Sequence, residues 1–239
     1  RAWTDIHAAG AASDFASAGS MAATRLWFGV VTTGGWPAPL RMRMDLDVEI
    51  DRDSNGSVDA VLSNGSTGGV QAGDLETTTL ANDGLVTVLD SRNSSPLVAT
   101  ATWNSLDPAQ EDPAAFLNGV VVHSATGAEL GLTGTRTAFR YRAVTRGPFA
   151  DQTPWIRFDA AQGVVDGTPH GLSHGPWQVA DGRAQVTLRR SAAIGAGFTS
   201  NGRIPLLCVY LHNASGNQAR VMELDFSRAD IDSDGLSDH

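Results

Sequence analysis

The chain has 239 residues, 41% hydrophobic and 18% charged, an ordinary globular composition with room for one large β domain or two smaller ones. A net charge of −9 and a pI near 5 argue against nucleic acid and anionic membrane as partners. Cys208 is the single cysteine, so no internal disulfide can form, and no run of about 18 apolar residues exists to insert in a membrane.

All 17 basic residues are Arg, a bias we read as genomic base composition rather than function. The chain opens at Arg1 without a start methionine or signal peptide and closes inside an acidic motif. Both ends read as cuts from a larger extracellular protein.

The first candidate chemistry lies near the start. His7, Asp5 and Asp14 are triad-type groups without a nucleophile. Gly19-Ser20-Met21-Ala22-Ala23 looks like the nucleophile segment of a subtilisin-like protease, Gly-Thr-Ser-Met-Ala-x-Pro. Here, however, Thr24 stands at the proline position and a β run, Arg25–Thr32, follows at once. Next, Trp36 sits in Gly34-Gly35-Trp36-Pro37, where an indole either stacks on a sugar or plugs the end of a β domain. The plug is the commoner use.

Leu40 to Asp51 carries the strongest pattern. Leu40, Met42, Met44, Leu46, Val48 and Ile50 alternate with Arg41, Arg43, Asp45, Asp47, Glu49 and Asp51. Period two over that length predicts a strand with its apolar face buried and its charged face in water.

That strand runs into Asp51-Arg52-Asp53-Ser54-Asn55-Gly56-Ser57-Val58-Asp59. Oxygen-bearing side chains stand at positions 1, 3, 5 and 9, with Gly at 6. This is the ligand spacing of the EF-hand loop: alternate side chains converge on one point, the position 7 carbonyl of Ser57 adds an oxygen, and Gly permits the sharp turn. Calcium takes about six to eight oxygens. Asp51, Asp53, Asn55, Ser57 and Asp59 supply part of that shell, leaving the rest to water or to neighbours such as Asp47 or Glu49. Position 12 is Leu62 rather than Glu, and a strand precedes the loop where an EF-hand has a helix. A second copy, Asp230, Asp232, Asp234, Leu236 and Asp238 with Gly235 in register, closes the chain. We expect calcium at both.

Further strands are predicted at 85–90, 97–103, 119–123, 137–145, 155–159, 184–188, 206–211 and 218–226, with a helical turn within 124–132. Asn64-Gly65, Asp83-Gly84, Asp166-Gly167, Asp181-Gly182 and Asn201-Gly202 read as turns. His170 and His174 stand four apart, but Gly171, Pro169 and Pro176 forbid the helix that would aim both at zinc. Trp177 after Gly175-Pro176 repeats the choice posed by Trp36, and His212 reads as a turn residue. Nothing singles out a carboxylate pair for glycoside hydrolysis.

Many short strands with turn signals predict an all-β chain of two tandem β-sandwich domains, immunoglobulin-like or jelly-roll. The division falls at Arg146-Gly147-Pro148, extending loosely to Pro154. It gives a larger domain at 1–146 bearing the first calcium loop and a smaller immunoglobulin-like one at 147–228. The acidic repeat occupies 229–239.

Asp14-Phe15, Leu26-Trp27-Phe28-Gly29, Gly35-Trp36, the run Asp47–Asp53 with its glycine loop, and Gly131-Leu132-Thr133 leading to Phe139-Arg140-Tyr141 carry a resemblance. Over about residues 3–145 the chain resembles the region after the catalytic domain in large secreted bacterial subtilisin-like serine proteases. The likeness thins over 150–226, where Leu211–Gly216 is the best echo. The last loop resembles a thrombospondin type 3 calcium repeat. Val48-Glu49 departs from the aromatic position of the family pattern, Ser57 follows a single Asn-Gly, and no catalytic residue carries over. The resemblance implies a non-catalytic, calcium-stabilised accessory module, extracellular or cell-surface attached. Its partners would be a protein substrate, a cell-surface polymer or copies of itself. A carbohydrate-binding module and a structural surface protein forming arrays or filaments are the alternatives.

Overall fold

The computed structural model describes residues 4–36, 45–67, 85–92, 94–102, 118–146, 149–161, 165–169, 186–190, 203–209 and 219–225. In chain order the elements are β1 (Ile6–Ser13), α1 (Phe15–Ala18), β2 (Arg25–Trp36), β3 (Asp45–Asp51), β4 (Ala60–Ser66), β5 (Leu85–Ser91) and β6 (Ser94–Thr102). There follow β7 (Asn118–Thr126), β8 (Ala138–Arg146), β9 (Asp151–Gln152), β10 (Ile156–Asp159), β11 (Val165–Pro169), β12 (Val186–Arg190), β13 (Arg203–Val209) and β14 (Ala219–Asp225). The protein is nearly all β, as its short strand patterns and turn signals predict, with one short helix among the described residues.

Two sheets dominate. One has the order β1-β2-β7; the other runs β10-β8-β3-β4-β5-β6, with β9 also pairing β8. β11 pairs β12, and β13 pairs β14, as separate two-stranded units. The two main sheets share one apolar core: Phe28 and Val30 of β2 and Val121 of β7 meet Leu46, Val48 and Ile50 of β3, with Leu62, Phe139 and Tyr141. Phe28 lies 6.2 Å from Phe139 and 5.3 Å from Tyr141, centroid to centroid, in edge and tilted contacts.

Several expectations change on contact with the structure. Gly34 to Trp36 extend β2 instead of forming a loop, and Trp36 pairs with Asn118 of β7. Its side chain is fully buried in the core. Trp36 is therefore a core plug and not an exposed platform.

Asn64-Gly65 lies inside β4, opposite Thr87-Val86 of β5. The Asn64 amide oxygen accepts the Leu46 N–H at 2.9 Å, so the side chain serves a neighbouring strand instead of a turn. Asp166-Gly167 lies within β11, in register with Arg189-Leu188. The helical turn expected in 124–132 is confined to its later part. Ser124 to Thr126 belong to β7, after which Leu130 N–H reaches Thr126 O at 3.1 Å.

β1 carries no strand signal of its own, because Ala8-Ala9-Gly10-Ala11-Ala12 has no alternation; its partner β2 organises it. The missing side chain at Gly10 matters. A Cβ there would stand 3.1 Å from Leu207 Cδ2, so β13 packs on β1 where the floor is smallest.

The larger sheet also continues past the division expected at residues 146–148. Thr145 Oγ1 accepts the Asp151 N–H at 2.9 Å and Thr153 Oγ1 accepts the Ala143 N–H at 3.1 Å, which holds the returning chain antiparallel to β8. β10 then pairs residue by residue with β8, and Phe158 enters the core 5.7 Å from Phe139. Ser13 Oγ donates to Ala160 O at 2.8 Å, tying this segment to the end of β1.

Candidate metal centre

β3 positions the site, and it differs from expectation on one face. Leu46, Val48 and Ile50 point into the core as predicted. The opposite face, expected in water, is also buried: Asp47 is 1% exposed, Glu49 4% and Asp51 0%.

Arginines of β8 make this possible. Antiparallel register sets Arg142 opposite Glu49 and Arg140 opposite Asp51. Arg142 Nε donates to Glu49 Oε2 at 2.7 Å, and Arg146 reaches both Asp47 Oδ2 at 2.6 Å and Glu49 Oε1 at 2.7 Å. Ser63 Oγ of β4 adds a hydrogen bond to Asp47 Oδ1 at 2.7 Å. The indole of Trp155 covers the ladder, 4.6 Å from the Arg142 guanidinium carbon and 5.6 Å from that of Arg140. Buried carboxylates need such partners, because an unpaired ion in a low-dielectric site is costly.

This ladder corrects one reading. Asp47 and Glu49 are consumed by arginines on the sheet and do not complete a calcium shell at the loop.

Asp51 ends the ladder and begins the loop. Arg140 Nε donates to Asp51 Oδ2 at 3.2 Å, while Asn55 N–H and Gly56 N–H reach Oδ1 and Oδ2 at 3.1 and 2.8 Å. Burial acts to raise the Asp51 pKa; the Gly56 N–H, the Arg140 guanidinium and the Asn55 N–H outweigh it and hold the carboxyl below the usual carboxylate range.

Asp53 Oδ1 also accepts the Asn55 N–H at 3.1 Å, and Asn55 Oδ1 accepts the Ser57 N–H at 2.7 Å. At the far end Asp59 Oδ2 accepts the Arg52 N–H at 2.8 Å, and Asp59 N–H returns to Ile50 O at 2.8 Å, closing the hairpin between β3 and β4. Gly56 has φ +96°, the left-handed conformation that the spacing assigns to glycine, and Ser54 shares it at φ 62°.

The result is convergence. Asp51, Asp53 and Asp59 each offer a carboxylate oxygen within 4.8 Å of the others, one buried, one exposed and one between. Three like charges so close repel, and hard oxygen donors of this kind suit a divalent cation such as calcium. Asn55 and Ser57 are exposed on the same loop. Arg52 was not anticipated: its side chain approaches Asp59 at 3.7 Å and, with Arg136 and Gly131 to Thr133, lines an open cleft beside the acidic loop.

Other candidates separate from this centre. Ser20 Oγ accepts the Ala23 N–H at 3.3 Å within a turn. The second acidic loop, with Asp230, Asp232, Asp234, Leu236 and Asp238, lies outside the described residues, as do His170, His174, Trp177 and His212. No protein-family model, curated protein or solved structure matches the chain.

Proposed function

We propose that this chain is a non-catalytic, calcium-stabilised accessory module of a secreted or cell-surface protein, built as tandem β-sandwiches. One observation carries the reading: the Asp51–Asp59 loop brings three carboxylates within 4.8 Å where two strands of the larger sheet meet. Asp51, Asp53 and Asp59 would hold the cation, with Asn55, the Ser57 carbonyl and water completing the shell. The parent would be a subtilisin-like protease, as the likeness over about residues 3–145 implies, and the module would serve spacing, stability or docking on substrate or surface. The buried position of Trp36 weighs against a carbohydrate-binding role that uses this residue.

Calcium here is structural. With about 1 mM calcium and a dissociation constant of about 10⁻⁴ M, typical of extracellular modules, linkage contributes on the order of 1.4 kcal/mol. Chelation should therefore lower the melting temperature by a few degrees and expose the loop to proteolysis. Asp53→Ala should reproduce that loss and abolish the response to chelator, with Asp53→Asn between the two. Thermal unfolding of each protein with calcium and with chelator is the test. A wild-type melting temperature indifferent to chelator sinks the structural-calcium reading.

A further inference from the structure

His123 of β7 is fully buried, on the inner face of its sheet opposite Phe28 of β2. Its ring bridges to the other sheet at two points: Nε2 lies 3.1 Å from the Leu46 carbonyl of β3, and Nδ1 lies 3.2 Å from Thr87 Oγ1 of β5. A carbonyl can only accept, so Nε2 carries the proton; Nδ1 then accepts from the Thr87 hydroxyl. Asn64 of β4 fixes the same spot by accepting the Leu46 N–H. The neutral imidazole is thus a buried polar cross-link between the two sheets.

We propose that His123 is an acid-sensitive latch: neutral, it ties β7 to β3 and β5, and protonated, it releases the two sheets from each other.

The surroundings offer the cation little. Asp47 of β3 is the carboxylate that acts on the ring, and it is already held by Arg146 and Ser63. Asp47 shares the far face of β3 with Glu49, which pairs with Arg142 and Arg146, and Asp51, which pairs with Arg140, while Asp45 of the same strand lies in register with Arg146. Of the strands packed around β7, β4 and β6 contain no charged residue. β5 contributes Asp90, in register with Val61, and β2 contributes Arg25, whose Nη1 reaches Ser124 Oγ at 3.5 Å. Burial therefore dominates and pushes the His123 pKa down to about 4, against the smaller upward pull of Asp47 and of the Leu46 carbonyl.

The sign follows. Unfolded, His123 titrates near its ordinary value of 6.5, so between there and about 4 the unfolded chain binds the extra proton. Stability is full above that window and falls as pH drops through it.

The test is urea unfolding of the full chain at fixed calcium, from pH 7 to pH 4, for wild type and His123→Gln. Gln retains a donor and an acceptor but cannot titrate. The unfolding constant of wild type should rise about a hundredfold more than that of the variant over this range. Parallel pH profiles would overturn the proposal. A second measurement on wild type covers the case of a variant that does not fold. Nitrogen NMR of the native His123 ring should show the neutral Nε2–H form persisting well below pH 6, and titration near 6.5 in the folded protein would equally overturn it.

Discussion

Trp36→Ala should destabilise the protein by about 3–5 kcal/mol, the usual result of emptying a large buried aromatic site. The indole is 0% exposed and belongs to the same core as Phe28, Leu46 and Phe139. It also terminates β2 across from Asn118, after a register shift that follows Val31. The residual space is walled by two hydrogen-bonded sheets, which collapse poorly, so we place the loss at the upper end of the range. Trp36→Phe should recover roughly half by refilling part of the volume. Urea denaturation of the three proteins measures this. A Trp36→Ala variant as stable as wild type, but defective in polysaccharide pull-down, would restore the exposed-platform reading.

Asp51→Ala should also be severe, for a different reason. Its buried carboxylate accepts two backbone N–H groups and the Arg140 guanidinium, and removal leaves all three donors without that acceptor. Asp51 is fully buried and Arg140 28% exposed, and losing one member of such a hydrogen-bonded pair costs about 3 kcal/mol, the low end for a buried one. Because Asp51 is also a proposed calcium ligand, unfolding is measured first in chelator, where only the ladder contribution is read. Repeating it in calcium should restore nothing to the variant, whereas wild type should gain. The double variant Asp51→Ala/Arg140→Ala should lose less than the sum of the single changes, by about 1–3 kcal/mol of coupling. Strict additivity would show that the pair is not a functional unit.

The sequence made some of this legible because local pattern and structure coincide. The period of β3 placed Leu46, Val48 and Ile50 in the core, and the spacing of Asp51, Asp53, Asn55 and Gly56 located the loop with its left-handed glycine. What the pattern could not reveal was set by distant partners. Glu49 reads as a solvated charge until Arg142, 93 positions away, is placed beside it. A signal was nonetheless present. Arg140 and Arg142 alternate with Phe139 and Tyr141 in the same period as the acids of β3, and two strands of opposite charge pattern are natural neighbours. His123 is obscure for a related reason, since an isolated histidine at the end of a predicted strand does not declare its burial, whereas the buried plug expected as the commoner use of Trp36 is what the core contains. The strand at 155–159 reads as lying beyond a domain boundary because Gly147-Pro148 reads as a linker, whereas hydroxyls of Thr145 and Thr153 hold the returning chain on β8, where β10 pairs.

The central claim is that the Asp51–Asp59 loop binds calcium, and calorimetric titration of calcium into the chelator-stripped full chain measures it most directly. The account predicts saturable uptake with a dissociation constant of about 10⁻⁴ to 10⁻³ M. It also predicts that Asp53→Ala deletes one component of that uptake while leaving any contribution from the loop at 230–238. Identical uptake by wild type and Asp53→Ala, or no uptake by either, would contradict it and leave the three converging carboxylates as a hydrogen-bonded turn.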